Sequence, residues 1–305
     1  MRQGLILTAA LGAAAASAFA LTGGTSERTA PSSTPIAVVR AATTAPFAAT
    51  PVAGRAVATV RPRDAWTPAV ADTWQWQLTG TINTSYDVHV YDIDLFDTPD
   101  ATLTQLRAAG RKIVCYFSAG SAEKWRPDYD QFQKSDLGKP LDGWPGERWL
   151  DTRSRNVRAI MAARLDLAQT RGCDGVEPDN ADGYANKNGL GLTPDDQLDY
   201  NRFIASEARR RGLAVGLKND LAQVKTLEPD YDFAVNEQCH QYRECDKLAP
   251  FTAAGKPVFN AEYKAKYRDN VGGARDQLCR DSRAANLRTL VLPLKLNDAY
   301  RYSCD

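Results

Sequence analysis

Eight short runs of apolar and β-branched residues recur along the chain, separated by longer segments with more polar residues. The runs are Thr73–Leu78, Val88–Leu95, Lys112–Ser118, Gly175–Asp179, Ala214–Asn219, Phe233–Glu237, Pro257–Tyr263 and Thr289–Leu294. Each has the length and the composition of a buried β-strand. The pattern therefore predicts eight strands.

Amphipathic segments with recognisable ends lie between several of these runs. The clearest extend from Thr98 to Gly110, from Val157 to Gly172 and from Thr193 to Gly212. A Thr cap followed by Pro begins the first and the third, and Gly ends all three, as helices do. Strands that alternate with helices indicate a parallel sheet, and eight of them predict an α/β fold, the (β/α)8 TIM barrel. A doubly wound open sheet is the alternative, but no glycine-rich phosphate loop follows the first strand.

The first 63 residues have a different composition. Arg2 precedes an uncharged, Ala-rich run that closes with Ala18 and Ala20, which predicts a signal peptide over residues 1–20. A membrane anchor is the alternative, although the run is marginal in length for one. Residues 21–63 are rich in Ala, Thr, Pro and Ser without Trp, Tyr or Cys, which indicates a disordered linker. We therefore expect a secreted, extracellular protein with one folded domain over residues 64–305 and no stable membrane insertion after cleavage.

The net charge and the His and Cys content argue against several classes of function. A net charge of +1 gives no reason to expect nucleic acid or anionic membranes as partners. Two His and no CxxC pair indicate no metal site, and no cofactor is implied.

The six cysteines of an exported protein are disulfide candidates. They are Cys115, Cys173, Cys239, Cys245, Cys279 and Cys304. The first two lie in or beside predicted strands and are interpreted as buried thiols. The middle pair flanks the loop HQYRE and is predicted to close it. The last pair is predicted to tie the C-terminal end to the last helix.

Polar residues concentrate where the predicted strands end. The strand ends are Gln75 and Gln77, Asp92 and Asp94, Tyr116 and Ser118, Glu177 and Asp179, Lys218 and Asn219, Asn236 and Glu237, and Asn260 and Glu262. Strands that merely run into polar loops would explain one or two of these. A barrel whose chemistry lies at its C-terminal rim explains the set.

The stretch GCDGVEPDNADGY, residues 172–184, is the most acidic of these ends. A calcium loop does not fit, because Pro178 and Gly189 would stand at ligand positions. A serine nucleophile does not fit either, because the chain has no GxSxG motif. Two carboxyl groups on different strands remain, and that pair is what glycosidases use.

Seven runs, in this order, resemble glycoside hydrolase family 114, the endo-α-1,4-polygalactosaminidases: VYDIDLFD, VCYFSAGSAEKW, WLD followed by a helix, GCDGVEPDNADGY, GLGLT, VGLKND and FAVNEQC. The resemblance extends from Trp74 to Leu296. It implies a (β/α)8 barrel that cuts polymers of α-1,4-linked galactosamine or N-acetylgalactosamine internally. It also implies that Asp179 and Glu237 are the catalytic residues, with Glu177 standing where relatives often carry Asp.

The resemblance to α-retaining barrel glycosidases assigns the roles. Asp179, on the fourth predicted strand, is expected to be the nucleophile, and Glu237, on the sixth, the acid/base with a raised pKa. Carboxyl groups about 5–5.5 Å apart would give retention, and about 6.5–9.5 Å inversion. The substrate-binding candidates are Trp76, Asp94, Tyr116, Ser118, Glu177, Asp182, Lys218 and Glu262. Trp76 and Tyr116 have an alternative interpretation as barrel core.

The expected partner is a galactosamine-containing polysaccharide, bound by a monomer. Two alternative functions remain open from the sequence. The first is a barrel that binds carbohydrate without cleaving it, and the second is a barrel that cleaves another α-linked exopolysaccharide.

Overall fold

The computed structural model of the protein describes residues 65–305, so the predicted signal peptide and linker lie outside the described residues. The strands of this part are β1 (Trp74–Gln77), β2 (Val90–Asp94), β3 (Lys112–Ser118), β4 (Ser121–Glu123), β5 (Leu137–Pro140), β6 (Glu147–Leu150), β7 (Gly175–Asp179), β8 (Ala214–Lys218), β9 (Phe233–Glu237), β10 (Val258–Glu262), β11 (Leu287–Val291) and β12 (Tyr302–Ser303). Its α-helices are α1 (Asp100–Ala108), α2 (Arg155–Thr170), α3 (Pro194–Arg210), α4 (Val224–Leu227), α5 (Cys239–Tyr242), α6 (Ala249–Ala253), α7 (Ala265–Arg268) and α8 (Ala274–Ala284).

Eight strands, β1 to β3 and β7 to β11, pair in parallel in chain order and form the wall of a (β/α)8 barrel. β12 adds to β11 in the antiparallel direction. Two side chains bridge the seam between the last strands and β1. The Trp74 indole donates to the Arg288 carbonyl at 2.9 Å, and the Arg301 guanidinium donates to the Trp74 carbonyl at 2.8 Å. The predicted fold class is confirmed.

All eight predicted strands are present, and only the last is clearly displaced. It was predicted over Thr289–Leu294 and lies at Leu287–Val291. Pro293 has no amide hydrogen with which to extend the ladder, so the strand ends before it. The sequence pattern did not predict β4, β5, β6 or β12.

The helix ends explain why two of the three predicted helices begin where they do. Ser154 caps α2 by accepting from the amides of Asn156 and Val157, and Thr193 forms a capping box with Asp196 at α3. Thr98 does not cap α1, because Pro99 occupies the cap position and the Thr98 hydroxyl is buried without a partner. Within the described part of the chain, no helix is long and apolar enough to span a membrane.

The barrel interior is filled by aromatic side chains. Trp74 stacks on Trp76 with ring centroids 5.7 Å apart, and Phe233 meets Phe259 edge-on at the same separation. Gly216 makes room for this cluster, since a Cβ there would lie 2.3 Å from the Phe233 ring. A second, larger core fills the space between the barrel wall and the helices.

Three disulfides join the six cysteines. The predicted Cys239–Cys245 and Cys279–Cys304 pairs are confirmed. The interpretation of the first two cysteines as buried thiols is wrong, because Cys115 and Cys173 are bonded to each other. They lie 58 residues apart in sequence, but β3 and β7 are neighbouring strands, and their Cα atoms are 6.0 Å apart.

The segment between β3 and α2 is an insertion built on the small antiparallel sheet β4-β6-β5. It is fastened to the end of β7, because the amides of Ala119 and Gly120 both donate to the Asp179 carbonyl. An added Cβ on Gly120 would lie 1.9 Å from the Asn180 carbonyl oxygen. This close backbone approach places the insertion beside the acidic end of β7.

Candidate active site

Four charged side chains meet at the ends of the adjacent strands β7, β8 and β9. Lys218 Nζ lies 2.6 Å from Glu177 Oε1, 3.1 Å from Asp179 Oδ1 and 3.6 Å from Glu237 Oε2. One ammonium group therefore joins three carboxylates. The four residues were all predicted from sequence as catalytic or substrate-binding, and the structure brings them together.

The chain turns sharply directly after each of these strands. Asn180, Asn219 and Gln238 follow β7, β8 and β9, and their φ angles are 60°, 51° and 63°. This left-handed region is uncommon for residues other than glycine and tends to cluster at functional sites. Each strand thus ends abruptly at its charged residue.

Asp179 and Glu237 are the accessible members of the cluster, with side chains 19% and 28% exposed. The Tyr116 hydroxyl donates to Asp179 Oδ2 at 3.0 Å. Glu237 accepts from the Tyr263 hydroxyl at 2.6 Å and from the Asn219 amide at 3.1 Å. Each carboxylate is therefore oriented by hydrogen bonds while remaining open to the barrel mouth.

A buried layer lies beneath this pair. Glu177 and Lys218 have side chains 0% and 2% exposed, and the Lys218 ammonium lies 4.7 Å from the centroid of the Trp76 ring. Burial lowers the pKa of Lys218, but the charges of Asp179 and then Glu177 raise it well above its usual range in the net. Trp76 is buried and supports the ammonium group, so its position favours the core interpretation over a platform for sugar.

Three other predicted binding residues are buried and hold loops. Arg126 donates to both carboxylate oxygens of Asp94, at 3.0 and 2.6 Å. The Ser118 hydroxyl shares a hydrogen bond of 2.6 Å with that of Ser121. Glu262 accepts from a backbone amide of the loop after β9, and burial raises its pKa to about 7. The contacts of Asp94 and Ser118 account for these two residues without a substrate, whereas Glu262 Oε2 is buried without a hydrogen-bond partner.

Asp182 lies in the loop after β7, beside the rim of the barrel, and it is half-buried. It accepts from the Asn186 side chain at 3.3 Å. Its charge also acts on Asp220 in the neighbouring loop, where it raises the pKa of that carboxyl.

Three residues that contact or surround the catalytic pair were not among the site residues predicted from the sequence. Tyr263 and Asn219 contact Glu237. Each is the last residue of a predicted strand, and this position was the feature of the sequence that could have indicated them. Glu147, on β6, accepts from the Ser121 hydroxyl at 2.6 Å, and burial raises its pKa to about 7, with the charges of Glu123 and Asp179 adding to the shift. It belongs to the insertion, where no strand pattern pointed to the site.

Asp220 is a buried acid just behind this rim and is 4% exposed. Burial raises its pKa to about 8, and the Asp182 charge adds to the shift, whereas hydrogen bonds from Tyr184 and Asn201 oppose it. The Asp220 carboxyl group of the folded protein therefore keeps its proton at pH values well above the pH at which the unfolded chain releases it.

We expect the contribution of Asp220 to the free energy of unfolding to fall as the pH rises from about 4 to about 8. In that window the unfolded state has lost the Asp220 proton and the folded state has kept it, so each pH unit removes up to about 1.4 kcal/mol. Urea unfolding across this range should show a shallower fall for Asp220→Asn than for wild type. Asp199→Asn, at a side chain 73% exposed, is the control. Parallel curves for wild type and Asp220→Asn would contradict the assignment.

Known proteins resemble this chain over the whole folded domain. The sequence model of glycoside-hydrolase family GH114 matches residues 55–305. The crystal structure of Aspergillus fumigatus Ega3 in complex with galactosamine is 44% identical, with a TM-score of 0.74 over 80% of this chain and 99% of that chain. The glycoside hydrolase domain of PelA from Pseudomonas aeruginosa has a TM-score of 0.60 at 14% identity, over 76% and 98% of the two chains, and supports the fold alone. No curated protein matches the chain in sequence.

Proposed function

The chain belongs to glycoside hydrolase family GH114 and is a glycoside hydrolase, and we propose that it is a secreted enzyme that cuts α-1,4-linked galactosamine polymers internally. One observation carries the proposal: two accessible carboxylates, Asp179 and Glu237, share a buried lysine at the mouth of the barrel. The similarity to Ega3, which was crystallised with galactosamine, supports the choice of sugar. Three disulfides support export to an oxidising compartment.

The proposed mechanism divides the two steps of glycoside hydrolysis between the pair. Asp179 attacks the anomeric carbon, while Glu237 donates its proton to the glycosidic oxygen as that bond breaks. Glu237 then takes a proton from the water that releases the sugar from Asp179. The Tyr116 and Tyr263 hydroxyls hold the two carboxyl groups in orientation.

We propose that the reaction retains configuration, a mechanism with which the geometry is consistent. Asp179 Oδ1 and Glu237 Oε2 lie 3.1 and 3.6 Å from Lys218 Nζ. The distance between the two oxygens therefore cannot exceed the sum of these two contacts. That upper limit lies slightly above the lower edge of the inverting range, about 6.5 Å, and includes the retaining spacing of about 5–5.5 Å. At the retaining spacing there is little room for a water between the carboxyl groups and the sugar, which agrees with direct attack by Asp179.

The charge around the pair favours a cationic substrate. Glu177, Asp179 and Glu237 share the single charge of Lys218, and Asp182 lies on the same rim. A galactosamine polymer with free amines carries ammonium groups at neutral pH, which an acidic mouth attracts.

We expect partly deacetylated α-1,4-galactosaminan to be cut with a higher kcat/KM than the fully acetylated polymer. Salt screens the attraction between exposed charges, so the advantage should shrink as ionic strength rises. The measurement is release of reducing ends from matched polymers at low and high salt, with a neutral α-1,4-glucan as control. Equal or faster cleavage of the acetylated polymer at low salt would contradict the role of charge.

The same assay separates the alternative functions. Binding of galactosaminan without release of reducing ends would indicate a carbohydrate-binding barrel. Cleavage restricted to another α-linked polysaccharide would indicate a different substrate.

A further inference from the structure

Asp92 is a buried carboxyl group to which the mechanism gives no role. It lies on β2 inside the barrel and is 1% exposed. Neither of its side-chain oxygens has a hydrogen-bond partner if all carboxyl groups are ionised. An ionised carboxylate in such a position would be strongly destabilising. Burial raises the pKa of Asp92 well above its usual range, and the charge of Glu177 raises it further.

Glu177 is the group that Asp92 can bond. The two carboxyl groups lie within hydrogen-bonding reach of each other in the barrel interior. Glu177 Oε2 also has no donor, whereas Glu177 Oε1 lies 2.6 Å from Lys218 Nζ. Two carboxylates cannot form a hydrogen bond without a proton between them. Because Lys218 stabilises the negative charge on Glu177, the shared proton belongs to Asp92.

We propose that Asp92 is a positioning residue whose neutral carboxyl group donates a hydrogen bond to Glu177. The bond fixes the Glu177 carboxylate, and the ion pair with Lys218 then fixes the ammonium group. That ammonium group contacts Asp179 and Glu237, so Asp92 helps to set their spacing without touching substrate.

Of the charged groups that act on Asp92, Glu177 acts most strongly and is the one within hydrogen-bonding reach. The charged groups that act on it are Glu177, Lys218 and Asp179, in that order of strength. Its strand neighbours in register are Trp76 on β1 and Val114 on β3. Neither side chain accepts a hydrogen bond. The proton on Asp92 therefore has Glu177 as its acceptor.

Two substitutions of similar size separate this role from simple packing. The side-chain amide of Asp92→Asn can still donate to Glu177, and we expect this variant to keep most of the wild-type kcat. Asp92→Leu fills the space without donating, which frees the Glu177 carboxylate and displaces Lys218. Its kcat on galactosaminan should fall on the order of a hundredfold, with KM little changed, as for a small misplacement of catalytic groups. This arm rests on the proposed function.

A second arm does not depend on activity. The infrared spectrum of wild type at neutral pH should contain C=O stretching bands of buried protonated carboxylic acids, Asp220 among them. The difference spectrum of wild type minus Asp92→Asn should retain one such band, that of Asp92, while the bands of the other buried acids cancel. Failure of wild type to cut galactosaminan would count against the proposed function, and the infrared comparison would still decide the state of Asp92. A difference spectrum without such a band would overturn the proposal. So would an equal loss of kcat in both variants at equal stability.

Discussion

Asp179→Asn and Glu237→Gln are each expected to lower kcat/KM on galactosaminan by at least about a thousandfold. The first change removes the nucleophile, because an amide does not form the glycosyl-enzyme bond at a useful rate. The second removes the proton donor while keeping the size of the side chain. Both substitutions leave the hydrogen bonds from Tyr116 and Tyr263 with an oxygen acceptor, so we expect both variants to fold.

Asp174→Asn is the matched control, because Asp174 precedes the same strand, β7, at the opposite end of the barrel. There it contacts Lys112 Nζ at 2.9 Å and accepts from the Ile113 amide, far from the mouth. Release of reducing ends should be close to wild type in this control. Turnover at wild-type rates by folded Asp179→Asn or Glu237→Gln would refute the assigned roles.

Among single substitutions in the buried layer, Lys218→Met is expected to lower the free energy of unfolding the most. Removing the ammonium group leaves Glu177 buried without its cation, which should lower the free energy of unfolding by about 3 kcal/mol at neutral pH. Activity should fall on the order of a hundredfold, because Asp179 and Glu237 lose the group that they share.

The loss of stability in Lys218→Met should depend on pH. Without the lysine, the pKa of Glu177 in the folded state lies further above its unfolded value, so the penalty is present above the unfolded pKa and vanishes as the pH falls below it. Urea unfolding near pH 7 and near pH 4 measures the difference. Lys112→Met removes a Lys–Asp contact of 2.9 Å with side chains 42% and 23% exposed, and should cost less than about 1 kcal/mol. A similar cost for the two variants at both pH values would contradict the role of burial.

The barrel and its catalytic strand ends could be predicted because they depend on local sequence. A strand such as Ala214–Lys218 is buried on both faces, so it appears as a continuous apolar run that ends at a functional residue. The carboxyl ends of parallel strands share one rim. The positions of Glu177, Asp179 and Glu237 along their strands were therefore enough to bring them together.

The remaining features depend on which segments become neighbours, and local sequence does not contain that information. Asp94 looked like a rim residue, but Arg126 of the insertion occupies both of its oxygens. The strands of the insertion have only three or four residues, too few for a periodic pattern. The bond between Cys115 and Cys173 could not be predicted without the information that β3 and β7 are adjacent.

That same bond closes a covalent ring in the chain. The ring contains the whole insertion and α2, because both lie between Cys115 and Cys173 in sequence. A protease that cleaves one peptide bond in the insertion would produce two fragments on a reducing gel and one species on a non-reducing gel. The strands on either side would stay paired, so the nicked protein would keep its barrel. We expect the barrel to tolerate changes in the length of the insertion for the same reason, since the two ends of the ring are fixed to each other by sulfur.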